Sequence, residues 1–316
     1  MDNLNKLETL YFDELKSTLH EIEKKRTNTI SKIIKNLSIF TLLYFLMCFV
    51  LIQVRIDGNI FGFVFYAFFP LLIMVYQSSR RQYDNNFKDM IVKPLVKSLG
   101  ESFEYHKFKH ISFDAFSNSE LLSEADNISG DDYVRGKING VKIEFSDVVG
   151  LIKTSGESEY KSYFNGFFIR SSFNKNFHGK TFVLPDNTQA AFGTLVGNWL
   201  QSKTSSRGEL VKMDNHEFEQ EFVVFSSDQI EARYILTPSM MERLLEFKRK
   251  CIHPFSISFI DNYIHIVIDT GKNNFEPILF QSLLDYDVAI QYFINIYLAS
   301  AVVNDLKLNE KLWSKK

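Results

Sequence analysis

Seven histidines, at positions 20, 106, 110, 178, 216, 253 and 265, are the first side chains to weigh as metal ligands or proton carriers. No HExxH pair, histidine–cysteine cluster or zinc-like spacing occurs among them, so no metal is expected. His106 and His110 would share a helix face, but FEYHKFKHISF alternates like a strand, which makes them ordinary surface histidines. Phosphate-cradling loops of the GxxxxGK[ST] or GxGxxG type and a GxSxG nucleophile elbow are missing from the sequence, and no cofactor is implied. Cys251 directly follows the basic run Lys248–Lys250, a setting that lowers a thiol pKa, yet a lone cysteine is ordinarily inert.

Two segments are richer in specific-looking residues: FNGFFIRSSFNKNFHGKTFVLPD, from Phe164 to Asp186, and SSDQIEARYILTPSMMERLL, from Ser226 to Leu245. Asn174, Lys175 and Lys180, together with Arg233, are candidates for a cleft that binds an anionic ligand or a partner's acidic segment. Asp228, Glu231, Arg233, Glu242 and Arg243 alternate in charge around one junction, where ion pairs would fix the packing. Asp228 and Glu231 could instead be the carboxylates of a hydrolase, in which case one of them should hold a raised pKa inside a cleft.

The same two segments resemble the recurring blocks of an uncharacterised bacterial membrane-protein family, domain of unknown function 3137. The residues that carry the resemblance are Gly166, Phe167 and Phe168, then Phe173, Asn174, Lys175, Phe177, Gly179 and Thr181. In the second block they are Asp228, Glu231, Ala232, Arg233, Tyr234, Thr237, Pro238, Met241, Glu242 and Arg243. Asn165 stands where the family has a basic residue. The resemblance takes in the N-terminal apolar region and most of the chain after it. It implies a short transmembrane hairpin joined to a soluble domain and brings no catalytic residues.

The elements that must position these residues begin with two uncharged runs. Leu37–Val54 and Ile60–Tyr76 are each long enough, at about 25 Å or more as helices, to cross a bilayer. Residues 55–59 join them, and Pro70 should kink the second. Lys24, Lys25, Arg26, Lys32 and Lys35 precede the first run, Arg80, Arg81 and Lys88 follow the second, and the joining loop holds only Arg55. Both termini are therefore expected on the cytoplasmic side of a bacterial membrane. Residues 1–36 should form an amphipathic helix carrying Phe12, Leu15, Leu19 and Ile22, which packs on the protein itself or pairs chains into a homo-oligomer. Residues 77–100 continue as a juxtamembrane helix.

Residues 101–316 are expected to form one soluble α+β domain, rich in strands with packed helices. VRGKINGVKIEF turns at Asn139-Gly140 and SISFIDNYIHIVID at Asp261-Asn262, both strong hairpin signals. Strands are expected at 164–170, 181–184, 218–226 and 230–236. Thr237 with Pro238 should open a helix bearing Met240, Met241, Leu244, Leu245 and Phe247, and a terminal helix should run from about Leu284 to Leu308. Val288–Val303 is interrupted by Gln291 and Asn295, so it reads as a buried core helix rather than a third span.

Composition narrows function without assigning it. With 36 basic and 38 acidic side chains the formal charge is −2, which offers nucleic acid no attracting field. Two distant cysteines suit a reducing compartment. The sequence thus points to a two-pass membrane anchor whose cytosolic module recruits a protein partner or senses an anionic ligand or lipid. The rival expectations are a membrane-tethered hydrolase and a membrane effector in which the hairpins assemble into a pore.

Overall fold

In the computed structural model the described residues are 9, 16–54, 58–122, 125–153, 159–173, 177–186, 207–251, 253–306 and 308. They fall into two compact units, Met1–Pro94 with Glu276–Gln291, and Leu95–Phe275 with Tyr292–Lys316.

The first unit is built on two long helices, α1 (Lys16–Gln53) and α2 (Gly58–Phe87), the latter followed by a π-helical turn (Lys88–Val92) and α3 (Lys93–Ser98). The stretch Ser17–Gln53 of α1 is long and apolar enough to cross a membrane, and only 6% of its most apolar window is buried within the protein. A core helix would be mostly buried. Among the described residues this is the one such span. Leu19 and Ile22 are buried, as their heptad spacing predicts, whereas Phe12 and Leu15 lie outside the described residues. The two helices touch where Asn36 Nδ2 donates to Ser79 Oγ (3.3 Å) and where the rings of Tyr44 and Phe68 stack at 4.0 Å.

A later segment, 276–285, is tied to the polar ends of these helices. Arg26 donates to the Leu279 carbonyl (2.8 Å) and pairs with Glu23 (2.7 Å). The same Glu23 carboxylate accepts from the Leu283 N–H (3.3 Å), and Arg80 reaches the Pro277 carbonyl (3.3 Å) and Glu276 (3.5 Å). Charge-assisted bonds of this kind hold an irregular segment whose own backbone forms no regular ladder.

The second unit is a nine-stranded sheet in the order β1-β2-β3-β4-β9-β8-β5-β7-β6, with every pairing antiparallel. The strands are β1 (Glu104–His106), β2 (Asn127–Ile138), β3 (Val141–Lys153), β4 (Tyr160–Ser172), β5 (Thr181–Pro185), β6 (Glu209–Leu210), β7 (Phe222–Ser226), β8 (Phe255–Ile260) and β9 (Tyr263–Asp269). The remaining helices among the described residues are α4 (Phe113–Ser117), α5 (His216–Glu221), α6 (Gln229–Ile235), α7 (Pro238–Lys250) and α8 (Tyr286–Asp305). Asn139 and Gly140 both hold positive φ (50° and 84°), the geometry of the inward-turning hairpin between β2 and β3. Asp261 does the same between β8 and β9.

Two strand expectations are corrected. Residues 230–235 lie in α6 and Leu236 is its C-cap, because Asp228 Oδ1 accepts from the N–H groups of Ile230 and Glu231 (2.9 Å each) and starts a helix that buries Ala232 and Ile235. Phe218 belongs to α5, capped by Asn215, and the strand starts only at Phe222. The helix opened by Thr237 and Pro238 forms as expected, with Thr237 Oγ1 accepting from Met240 N. Val288, Ile296 and Val302 of α8 are buried, the behaviour of a core helix.

One core cluster joins Phe116, Leu121 and Leu122 to Phe164 and Phe168 of β4 and Val267 of β9. Elsewhere Phe167 packs between Phe145 and Phe275, and Phe255 between Phe222 and Phe247. Gly166 sits where a Cβ would run into the Ile268 carbonyl of the neighbouring strand, which explains a glycine amid bulky residues.

Candidate functional site

The charged residues flanking the Asn139-Gly140 turn fall on alternate strand positions, so the pleat places them on one face. There they line an open cavity of about 490 Å³ with residues from β1, β2, β3, β4 and β9. Sheet register arranges them in two rows. The first is Glu104–Arg135–Glu144–Arg170, each opposite the next, and it ends at His265. Its charges alternate and pair: Arg135 with Glu104 (2.7 Å) and Arg170 with Glu144 (3.0 Å). Tyr133 adds a hydrogen bond from its hydroxyl to Glu144 (2.7 Å), and burial together with that bond pushes the Tyr133 pKa far above its ordinary value. Burial, with Arg170 beside it, depresses His265 to about 3, so the imidazole is neutral.

The second row differs. Lys137 lies directly opposite Lys142, the Lys142 N–H donates to Ser172 Oγ (3.0 Å), and Ser172 lies opposite Tyr263. No carboxylate pairs with either lysine among the described residues. Like charges directly opposite each other destabilise a hairpin, so the row carries repulsion that nothing in it offsets. Arg170 leans over this row with its guanidinium 3.5 Å from the Tyr263 ring centre, and its Nε is buried without a hydrogen-bond partner among the described residues. The lining holds four cationic side chains, Arg135, Lys137, Lys142 and Arg170, against two carboxylates, Glu104 and Glu144. An excess of two positive charges therefore faces the cavity.

The residues singled out from sequence lie elsewhere. Asn174 and Lys175 fall outside the described residues. Glu231 is 7% exposed, and its carboxylate accepts from the backbone N–H groups of His178 (3.1 Å) and Gly179 (2.7 Å). The Lys180 N–H donates to Ser227 Oγ (2.9 Å), its carbonyl accepts from Ser227 N (3.0 Å), and its ammonium pairs with Glu120 (2.5 Å). Arg233 donates to the carbonyls of Gln229 and Lys212 (3.3 Å each). The structure thus brings together Asp228, Glu231 and the backbone of Lys180 at a joint between the two blocks, while the side chains of Lys180 and Arg233 share no partner among the described residues. Gly179 and Glu231, two residues of the resemblance, are bonded to each other.

Cation ligands of another kind converge at a bulge in β2. Carboxylate oxygens of Asp131, Asp132 and Asp147 lie within 4.8 Å of one another. The Asp147 carboxylate, however, accepts from the side chain and backbone of Asn274 (2.5 and 2.6 Å) and from Phe275 N (3.3 Å), and Tyr105 donates to Asp132. Burial drives Asp147 up to about 8. Protein donors thus occupy both Asp147 oxygens and one of Asp132. Cys251 is buried, and its thiol is pushed up to about 11, the opposite of the activation that the preceding lysines suggest.

Residues 162–308 match the family profile described as protein of unknown function, DUF3137. This is the family that the two sequence blocks resemble, and the matched stretch contains both of them in full. The N-terminal helices and β1–β3 precede it. No curated protein matches the chain. Among solved structures, the crystal structure of the mycobacterial trehalose monomycolate transport factor A, TtfA, is similar at 12% identity. That similarity covers 67% of this chain and 92% of that one, with a TM-score of 0.35, a superposition too loose to establish a common fold.

The cavity residues were missed because each is an unremarkable surface charge in the sequence. The signal that finds them is the run VRGKINGVKIEF: alternation on both sides of an Asn-Gly turn puts Arg135, Lys137, Lys142 and Glu144 on one face.

Proposed function

We propose that this chain is a two-pass membrane anchor presenting a cytosolic α+β module that senses an anionic ligand in the cavity over β2, β3, β4 and β9. The observation that carries the reading is the cavity's excess of positive charge, concentrated in a lysine pair that has no carboxylate partner among the described residues. The anchor rests on α1 and on the apolar side chains that α2 leaves exposed, among them Phe69, Ile73 and Met74. Basic residues at the outer ends of both helices favour cytoplasmic termini. The hydrolase reading is less favoured, since Asp228 is engaged as a helix cap and Glu231 as an acceptor for backbone N–H groups.

Two arms test the proposal. In a cysteine-free background (C48A with C251A), Asn59→Cys should react with an impermeant thiol reagent on intact cells and Lys316→Cys should not. The reverse pattern overturns the topology. Thermal unfolding of the full chain in mild detergent, screened against phosphates, sulfates and carboxylates with neutral analogues, should show stabilisation by at least one anion. Equal response to the neutral analogues, or none to any anion, overturns the sensing role.

A further inference from the structure

Resting on that reading, we infer that the ligand of this cavity bears a phosphomonoester, bound by Lys137, Lys142 and Arg170. Charge count is the first argument. The first row neutralises itself, and the second leaves two positive charges opposite each other with no carboxylate partner among the described residues. A phosphomonoester carries about −1.5 to −2 at pH 7, whereas a phosphodiester or monocarboxylate carries about −1. Only a dianion cancels the pair.

Donor geometry is the second argument. A phosphomonoester presents three terminal oxygens, each a strong acceptor. Two ammonium groups that rotate freely and one guanidinium of fixed plane can each serve one oxygen. Arg170 is preorganised for this. Its ring contact with Tyr263 and its bond to Glu144 fix the guanidinium plane, and its Nε remains a buried donor without an acceptor among the described residues. The terminal N–H groups of that guanidinium not taken by Glu144 are the donors it offers an incoming oxygen.

Size is the third. About 490 Å³ is far more than a bare phosphate needs, so the phosphate is the head of a larger molecule. That molecule is either a soluble phosphate ester or a lipid whose headgroup is a phosphomonoester.

The test titrates glycerol 3-phosphate, dimethyl phosphate and succinate into the full-length protein in detergent by calorimetry. Glycerol 3-phosphate should bind tightest, with dimethyl phosphate weaker by about tenfold or more. Lys137→Gln and Lys142→Gln should each weaken glycerol 3-phosphate about tenfold without lowering the unfolding midpoint, because both side chains are exposed and either change relieves the repulsion between them. Lys180→Gln, outside the cavity, should change nothing. Succinate binding tighter than glycerol 3-phosphate, with the same dependence on the lysines, overturns the phosphomonoester and leaves the anion site standing. Lysine-independent binding, or no binding by any of the three, overturns both. Vesicles of phosphatidylcholine with and without phosphatidate then separate the sources. Lysine-dependent occupancy by phosphatidate, competed by glycerol 3-phosphate, identifies a lipid headgroup. Binding of the soluble ester unaffected by phosphatidate identifies a soluble ligand.

Discussion

Glu231 decides between a structural and a chemical role for the second sequence block. Its carboxylate accepts from the N–H groups of His178 and Gly179, and its own N–H is capped by Asp228. Glu231→Ala strands two backbone donors. A buried donor left unmatched costs about 1–3 kcal/mol, and His178 is exposed enough for water to reach it, so the total should be about 2–4 kcal/mol. Glu231→Gln keeps an acceptor of the same shape and loses only the charge assistance, about half as much. Asp228→Ala removes one cap, about 1 kcal/mol. Equilibrium urea unfolding of the full chain in detergent, followed by near-ultraviolet circular dichroism, should show the greatest damage from Glu231→Ala, less from Glu231→Gln and least from Asp228→Ala. At about 2–4 °C per kcal/mol for a domain of this size, Glu231→Ala should lower the thermal midpoint by about 4–16 °C. A Glu231→Ala protein within about 0.5 kcal/mol of the native chain, the range of an ordinary surface change, refutes the joint and returns this carboxylate to consideration as an acid.

Asp147 and Cys251 give two further expectations. Asp147 titrates near 8 when folded, above its unfolded value of 3.8, so the folded state binds a proton that the unfolded state has lost. Stability from this group is present at low pH and drains away as pH rises from about 4 to about 8, at up to about 1.4 kcal/mol per pH unit. Asp147→Asn cannot titrate, so its unfolding free energy should decline less between pH 5 and 8 than that of the native chain; parallel curves would exclude Asp147 as the source. Cys251, buried with its thiol raised to about 11, should resist maleimide at pH 7.5 in a C48A background until denaturant is added. Labelling of the folded protein within minutes would contradict the burial.

Turn chemistry made much of the sheet legible. Asn139-Gly140 and Asp261-Asn262 fixed two hairpins because positive φ is a local demand that few residues meet. The strand reading of 230–236 failed because Ile230, Ala232, Tyr234 and Leu236 fall on alternate positions, while the decisive atom, Asp228 Oδ1, sits outside that window. Residues 218–221 failed in the same way, with Asn215 as the overlooked cap. The cavity stayed hidden for a different reason. Its composition depends on β1 and β9 arriving beside β2–β4, pairings separated by up to about a hundred residues in sequence, and no local pattern states which strands will be neighbours.

That long-range pairing also explains why the cavity can hold unbalanced charge at all. Along one face of β4, Phe164 and Phe168 are buried in the core cluster, Arg170 follows, and Ser172 ends the strand beside the lysine row. The face passes from apolar packing to exposed charge within four residues. His265, opposite Arg170 and almost wholly buried, stays neutral, so the guanidinium has an uncharged, low-dielectric wall on one side and the open cavity on the other. A cation placed at such a boundary is screened less than one on a free surface, and its field is directed toward the open side. An arginine in the middle of the core would need a full complement of buried partners, and one at the strand tip would be screened by water. Arg170 occupies the step between them, where it is held by Glu144 and Tyr263 and still lines the open cavity.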